Sequence, residues 1–344
     1  MFAFLAYLAG AVAGPAFTPA AQVLTVSTPA ELAKALPQAK GGTLIKLAPG
    51  DYGQLALRDR VFDAPVTITS ADPNKPALFS RVILNRSVNI TFSKVEISSV
   101  PKPNDFIVRV ADGSNITFDD VYIHGLIDGA VKDDRNAISV ARSDSFTLSK
   151  SRLFEIAVGI RVRQSKNVTI RDNDISMIGV DAVEIPGTDG VLIARNKISK
   201  FRTTDPYHPD AVQCWTTGET SGCKNIKIVD NQFLGDFNTT STKYRYPQGI
   251  FFGDEAKVGG YENIEITGNL FVCPNWHAIS IGVGGAHGTI IRKNRIQACP
   301  GVTPWIRVND PSIVIEGNTA PIYYINSKKA SRPARNVIGG AASK

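Results

Sequence analysis

Apolar residues recur at every second position in short runs such as Val108-Arg-Val110, Ile138-Ser-Val140 and Ile160-Arg-Val162. That period of two marks half-buried strands. A helical signal occurs early in the chain. Thr28-Pro29-Ala30-Glu31 supplies a cap, a first-turn proline and an acid. The apolar positions of this short helix run to about Leu36, and Gly41-Gly42 ends it.

The strands come in triplets, and the triplets repeat. Asn89-Ile-Thr-Phe aligns with Asn115-Ile-Thr-Phe, Ser145-Phe-Thr-Leu, Asn167-Val-Thr-Ile, Gly190-Val-Leu-Ile and Asn225-Ile-Lys-Ile. Asn263-Ile-Glu-Ile, Gly288-Thr-Ile-Ile and Ser312-Ile-Val-Ile continue the series, at steps of 22 to 38 residues. Six residues after each of the last six anchors stands an Asn: Asn173, Asn196, Asn231, Asn269, Asn294 and Asn318. A third strand precedes each anchor, with later copies at Val183-Glu-Ile185, Val212-Gln-Cys214, Ile250-Phe-Phe252, Ile279-Ser-Ile281 and Ile306-Arg-Val308. Three strands in a coil of about 23 residues predict a parallel β-helix. The chain of 344 residues is therefore read as one all-β solenoid of about ten coils. Length alone would suggest two domains.

Stacked coils lie about 4.8 Å apart, so Asn at one position in successive coils becomes an amide ladder inside a turn. This ladder resembles that of right-handed β-helices of the pectate lyase-like superfamily, over residues 43 to 320. The resemblance implies polysaccharide lyase-like activity in a groove on the outer face of the third strand. Residues 22 to 42 then form the N-terminal cap, and the tail from 321 to 344 covers the other end. Residues 1 to 21 read as a secretory signal, with an apolar run from Phe2 to Val12 and an Ala11-Val12-Ala13 cleavage site. That run is too short to span a bilayer. The expected protein is exported, periplasmic or extracellular, monomeric and not inserted in a membrane.

Extra loops expand two coils: Phe201 to Pro209, Trp215 to Lys224, Asp236 to Pro247 and Gly253 to Tyr261. Loops clustered on a rigid repeat are where binding surfaces are built. Alternation points Arg109, Ser139, Arg161, Glu184, Gln213, Phe251, Ser280 and Arg307 outward there. Asn136, Asp181, Asp210, Gln248 and His277 open the same strands, where simple parity would turn them inward. The densest cluster is Asp205-Pro-Tyr-His-Pro-Asp210-Ala-Val-Gln213. Lys243, Tyr244, Arg245 and Tyr246 follow in the next loop. Trp215, Trp276 and Trp305 offer flat faces to sugar rings.

These residue types suit β-elimination on a uronic-acid polysaccharide, which needs a neutralised carboxylate and a base for the C5 proton. The base is His208 or Arg245, and Tyr244 or Tyr246 supplies a proton. The catalytic set is thus His208, Asp210, Arg245 and Tyr244. Substrate contacts fall to Arg161, Gln213, Lys243, Tyr246, Gln248, Phe251 and His277. Neutralisation either uses Ca²⁺ on Asp181, Glu184 and Asp210, or uses Gln213, Gln248 and Arg245 without a metal. No organic cofactor is expected. Hydrolysis by Asp181 or Glu184 with Asp210, C5-epimerisation and a non-catalytic adhesin remain alternatives. The Asn-Thr-Asp, Gly-His-Gly and Arg-Ile-Lys motifs of polygalacturonases are missing.

Charge adds little. The net +7 comes from 38 basic and 31 acidic residues, and five of the bases lie beyond Gly317, where no acid occurs. An acidic polymer is thus argued from the groove, and a nucleic-acid partner is not expected. Cys273 and Cys299 close the third member of adjacent triplets, within disulfide reach. Cys214 and Cys223 bracket a loop, so Cys214 is either its staple or a buried thiol.

Overall fold

The computed structural model describes residues 22–99, 105–235, 246–282, 285–310 and 312–330. Three parallel sheets run along a solenoid, two of 12 strands and one of 9. The aligned anchors lie in the first sheet, where Thr91, Thr117 and Thr147 pair in register. Strands after each ladder Asn form the second sheet, and those before each anchor form the third.

Local backbone chemistry explains the repeat. The anchors Asn89, Asn115, Ser145, Asn167, Asn225 and Asn263 have φ between 50° and 61°, with Gly190 and Gly288 at 77° and 69°. Left-handed backbone favours Gly, and Asn tolerates it better than most residues. A second left-handed residue stands immediately before each ladder Asn, as at Asp172, Arg195 and Asp230. It makes the sharp turn that delivers the Asn side chain inward.

The ladder is continuous. Asn173, Asn196, Asn231 and Asn269 each donate their backbone N–H to the Oδ1 of the next Asn at 2.9 to 3.1 Å. Asn294 does the same to Asn318 at 2.9 Å. Ser151 extends it backward, donating its N–H to Asn173 Oδ1 at 2.9 Å. A serine ladder in a different turn was not read from the sequence: Gly113 N–H donates to Ser143 Oγ, and Ser143 N–H to Ser165 Oγ, each at 3.1 Å.

Inward positions of all three sheets form one core. Phe79, Phe92, Phe118 and Phe146 make a run of rings with successive centroids 6.1, 5.0 and 6.0 Å apart. A fully buried side chain of this kind contributes about 1.5–3 kcal/mol. The helix Pro29–Ala35 has the expected capping box. Glu31 N–H donates to Thr28 Oγ1 at 3.2 Å, and Ser27 N–H to Glu31 Oε2 at 2.7 Å. It buries Leu32 and Ala35 at the solenoid's first end. At the other end Ile322–Ile325 extends the third sheet and pairs antiparallel with Lys328–Ala330. Disulfides join Cys273 to Cys299 across adjacent coils and Cys214 to Cys223 across their loop, so the buried-thiol alternative for Cys214 is set aside.

Candidate active site

Parallel pairing in the third sheet places the outward residues in one column. Ser139 pairs with Arg161, Arg161 with Glu184, Glu184 with Gln213, and Gln213 with Phe251. The column continues through Ser280, Arg307 and Tyr324. Each step advances about 4.8 Å along the solenoid.

The acids that open these strands are buried, Asp210 0% exposed and Asp181 5%, on the side where Glu184 and His208 meet them. Asp181 Oδ1 accepts the backbone N–H of Asp210 at 2.7 Å. Burial pushes the Asp181 carboxyl well above the usual carboxylate range, and the neighbouring Asp210 and Glu184 charges push it further. Burial also raises Asp210, to about 6, against the hydrogen bond and charge of His208 that pull it down. Glu184 is buried beneath Arg161, whose guanidinium forks onto both carboxylate oxygens, with Nη2 at 3.1 Å from Oε1.

His208 stands over this acid. Its Nδ1 lies 3.0 Å from Asp210 Oδ2, and its side chain is 44% exposed while that of Asp210 is 0% exposed. A buried carboxylate thus fixes one nitrogen of a ring that reaches the surface. With the proton on Nδ1, Nε2 is the basic position. The loop's other end is anchored by Arg202, with Nη2 at 3.1 Å from Asp134 Oδ2 and Nη1 at 3.2 Å from Glu155 Oε1. Sequence reasoning missed this anchor because its members come from three separate segments.

Aromatic groups continue the groove past His208. His277 Nδ1 donates to Gln248 Oε1 at 2.9 Å. Phe251 stacks on His277 at 5.2 Å, and Trp305 meets the same ring edge-on at 5.5 Å. Trp276 lies parallel to Trp305 at 6.4 Å and is 50% exposed. Burial, with the positive charges of Arg307 and His208, lowers the His277 pKa to about 4, so this ring is neutral at neutral pH.

Other expected participants fall elsewhere. Tyr246 is fully buried and its hydroxyl donates to Pro300 O at 3.2 Å, so it does not face the groove as the sequence suggested. Lys243, Tyr244 and Arg245 lie outside the described residues. The loops downstream of the strands clasp each other. Thr216 Oγ1 donates to Asp254 Oδ1 at 2.9 Å, and Val258 and Gly259 N–H groups both donate to that carboxylate at 3.0 Å. Arg163 and Gln164 hold buried Glu219 in the same region. Those two loops stiffen the scaffold.

The oxygens of Asp181, Glu184 and Asp210 do not fit a Ca²⁺ site as arranged. Arg161 takes both oxygens of Glu184, and the Asp210 N–H takes one of Asp181. Among the described residues no group of three or more His, Cys, Asp or Glu side chains is placed to hold a metal.

The family model for the right-handed β-helix region matches residues 136–320. The chain belongs to that family, and its fold is the pectate lyase-like right-handed β-helix. A pectate lyase from a Bacillus species, solved with trigalacturonate, is similar at 13% identity and TM-score 0.50, over 73% of this chain and 82% of that one. The catalytic domain of a GH87 α-1,3-glucanase, solved with tetrasaccharides, is similar at 13% identity and TM-score 0.50, over 91% and 67%. An alginate lyase from Paenibacillus sp. str. FPU-7 aligns over 89% and 99% at 14% identity and TM-score 0.45. These likenesses are likenesses of fold. No curated protein matches the chain in sequence.

Proposed function

We propose that the protein is an exported enzyme that cleaves a uronic-acid-containing polysaccharide by β-elimination, with His208 as the base. The observation that carries this reading is the pairing of half-exposed His208 with fully buried Asp210 at 3.0 Å. Asp210 is a positioning residue here, because a carboxylate with no exposed surface does not meet a polymer.

His208 Nε2 removes the C5 proton of a uronate unit. The electron pair left on C5 forms the C4–C5 double bond as the C4–O bond breaks. The leaving oxygen takes a proton from a phenol, the role the sequence suggested for Tyr244. Charge that builds on the uronate carboxylate meets hydrogen-bond donors. The Gln213 amide and the Nε2 hydrogens of Gln248 fill that role beside Arg245. Phe251, Trp305 and Trp276 suit stacking of sugar rings along the groove.

Inverting hydrolysis has one observation in its favour, the raised carboxyls of Asp181 and Asp210. Their burial opposes it, since one must protonate the glycosidic oxygen and the other activate water on the opposite face. The test is a panel of uronate polymers followed for ultraviolet absorbance of the unsaturated uronate and for reducing ends. Elimination gives both signals, and His208→Ala removes them. Reducing ends without new absorbance would replace this reading with hydrolysis. Binding with neither signal would make the chain an adhesin or an epimerase.

A further inference from the structure

Beside the groove, between the turn before Asn136–Ala141 and the loop that carries His208, lies a cavity of about 490 Å³. That volume is within the range of pockets that hold small molecules, roughly 300–1,000 Å³. Its polar lining includes Lys132, Asp134, Asn136, Arg161 and Tyr207. Ala157, Val158 and Val180 supply an apolar wall. One apolar side and one polar rim match a pyranose ring, which has a C–H face and a hydroxyl edge.

The charges discriminate further. Arg161 is neutralised by Glu184. Asp134 is 0% exposed in its side chain and held by Arg202 through Oδ2, while its Oδ1 has no hydrogen-bond partner. Lys132 is exposed and carries no ion pair among the described residues. The cavity therefore offers one cation without an ion-pair partner among the described residues, while its acid lies covered beneath the lining. Arg161 is two register steps from Gln213, about 10 Å along the groove, and Tyr207 immediately precedes His208. A sugar held here is continuous with one at the base.

We propose that this cavity is a subsite for one uronate residue, with the carboxylate on Lys132 and the ring hydroxyls along the rim formed by Asn136 and Tyr207. The inference rests on the acidic-polymer reading above, and its test is independent of the reaction. A free monosaccharide has no glycosidic bond at C4 to break, so binding is read without turnover.

The full chain is titrated with sodium galacturonate, glucuronate and mannuronate, and with glucose, by isothermal calorimetry and saturation-transfer NMR. At least one uronate binds saturably and more tightly than glucose. Ala157→Trp, which fills the apolar wall, weakens that uronate at least tenfold. Lys132→Ser changes only an exposed side chain and leaves folding intact. Loss of its charge-assisted contact weakens the uronate about tenfold and glucose little. No saturable uronate binding, equal affinity in wild type and both variants, or equal affinity for glucose and every uronate would each overturn the proposal. If the polymer panel yields no unsaturated product while the uronate still binds and Lys132→Ser still weakens it, the lyase reading falls and the subsite stands.

Discussion

The buried asparagine ladder and a second, exposed one, in which anchor asparagines bond side chain to side chain as Asn115 to Asn89 and Asn263 to Asn225, ask for different amounts of stability. Asn231 is 1% exposed. Its Oδ1 accepts the backbone N–H of Asn196 at 2.9 Å, and its Nδ2 donates to Ile193 O at 2.9 Å. Asn231→Ala strips a buried N–H and a buried C=O of their partners. At about 1–3 kcal/mol for each orphaned group, the loss is about 2–6 kcal/mol. Asn225 belongs to the exposed ladder: its Nδ2 donates to Asp189 Oδ1 at 2.6 Å, and its Oδ1 accepts from Asn263 Nδ2 at 2.9 Å. Its φ of 53° suits glycine. Asn225→Gly removes side-chain contacts that water replaces and keeps the backbone unstrained, so the loss is under about 1 kcal/mol. Urea unfolding followed by circular dichroism measures both, with the slope compared between variants to confirm a common transition. A change below about 1 kcal/mol for Asn231→Ala, or equal losses for the two variants, would refute the reading that buried backbone satisfaction sets the difference.

Four further outcomes follow from the structure. Asp210→Asn keeps the volume and removes the charge behind His208, and the expected loss is about 10²–10⁴-fold in kcat with the fold intact by circular dichroism; an unchanged kcat would dismiss the dyad. Wild-type kcat falls as pH drops through about 6, where Asp210 takes a proton, and Asp210→Asn removes that titration from the profile. Asp134 rises from 3.8 to about 7, through burial that Arg202 opposes and Glu155 reinforces. The native state therefore holds a proton that the unfolded chain has lost, and stability declines as pH climbs from about 4 to about 7. Thermal unfolding of Asp134→Asn across that range should show a flatter profile, and an unaltered slope would exclude Asp134 as its source. EDTA leaves the polymer-cleaving rate unchanged, because Arg161 already occupies the oxygens of Glu184; a chelator-sensitive rate restored by Ca²⁺ would overturn this.

Periodicity made the solenoid legible, because each coil repeats the same backbone problem with nearly the same residues. Asn at the anchors and before the second strands is chemically demanded, by left-handed φ at one place and by buried backbone donors at the other. The outward column was legible too, since alternation needs only register. The status of the acids was harder to read. Asp181 and Asp210 read as functional residues of the groove because a stacked acidic pair is costly unless bound or protonated, and the structure buries both. The structure meets part of that cost with the Asp210 N–H and with His208. Tyr246 illustrates the opposite limit, since a loop tyrosine is equally suited to a groove or to packing. Contacts between distant segments, such as Arg202 with Asp134, have no local signature at all.

Those distant contacts matter because the repeat itself has no reason to bind anything. A regular coil buries its apolar face and satisfies its backbone, so chemistry enters only where insertions depart from the pattern. The insertion with His208 is tied down at both ends by charge. Asp210 fixes the ring, and Arg202 plugs the loop's start between Asp134 and Glu155. The same Asp134 lines the cavity that Tyr207 walls from the other side. Removing Arg202 would therefore leave two buried carboxylates without their cation. It would also release, together, the loop that carries His208 and the pocket beside it. Under the proposed roles, one ion-pair network sets the distance between the base and the neighbouring subsite.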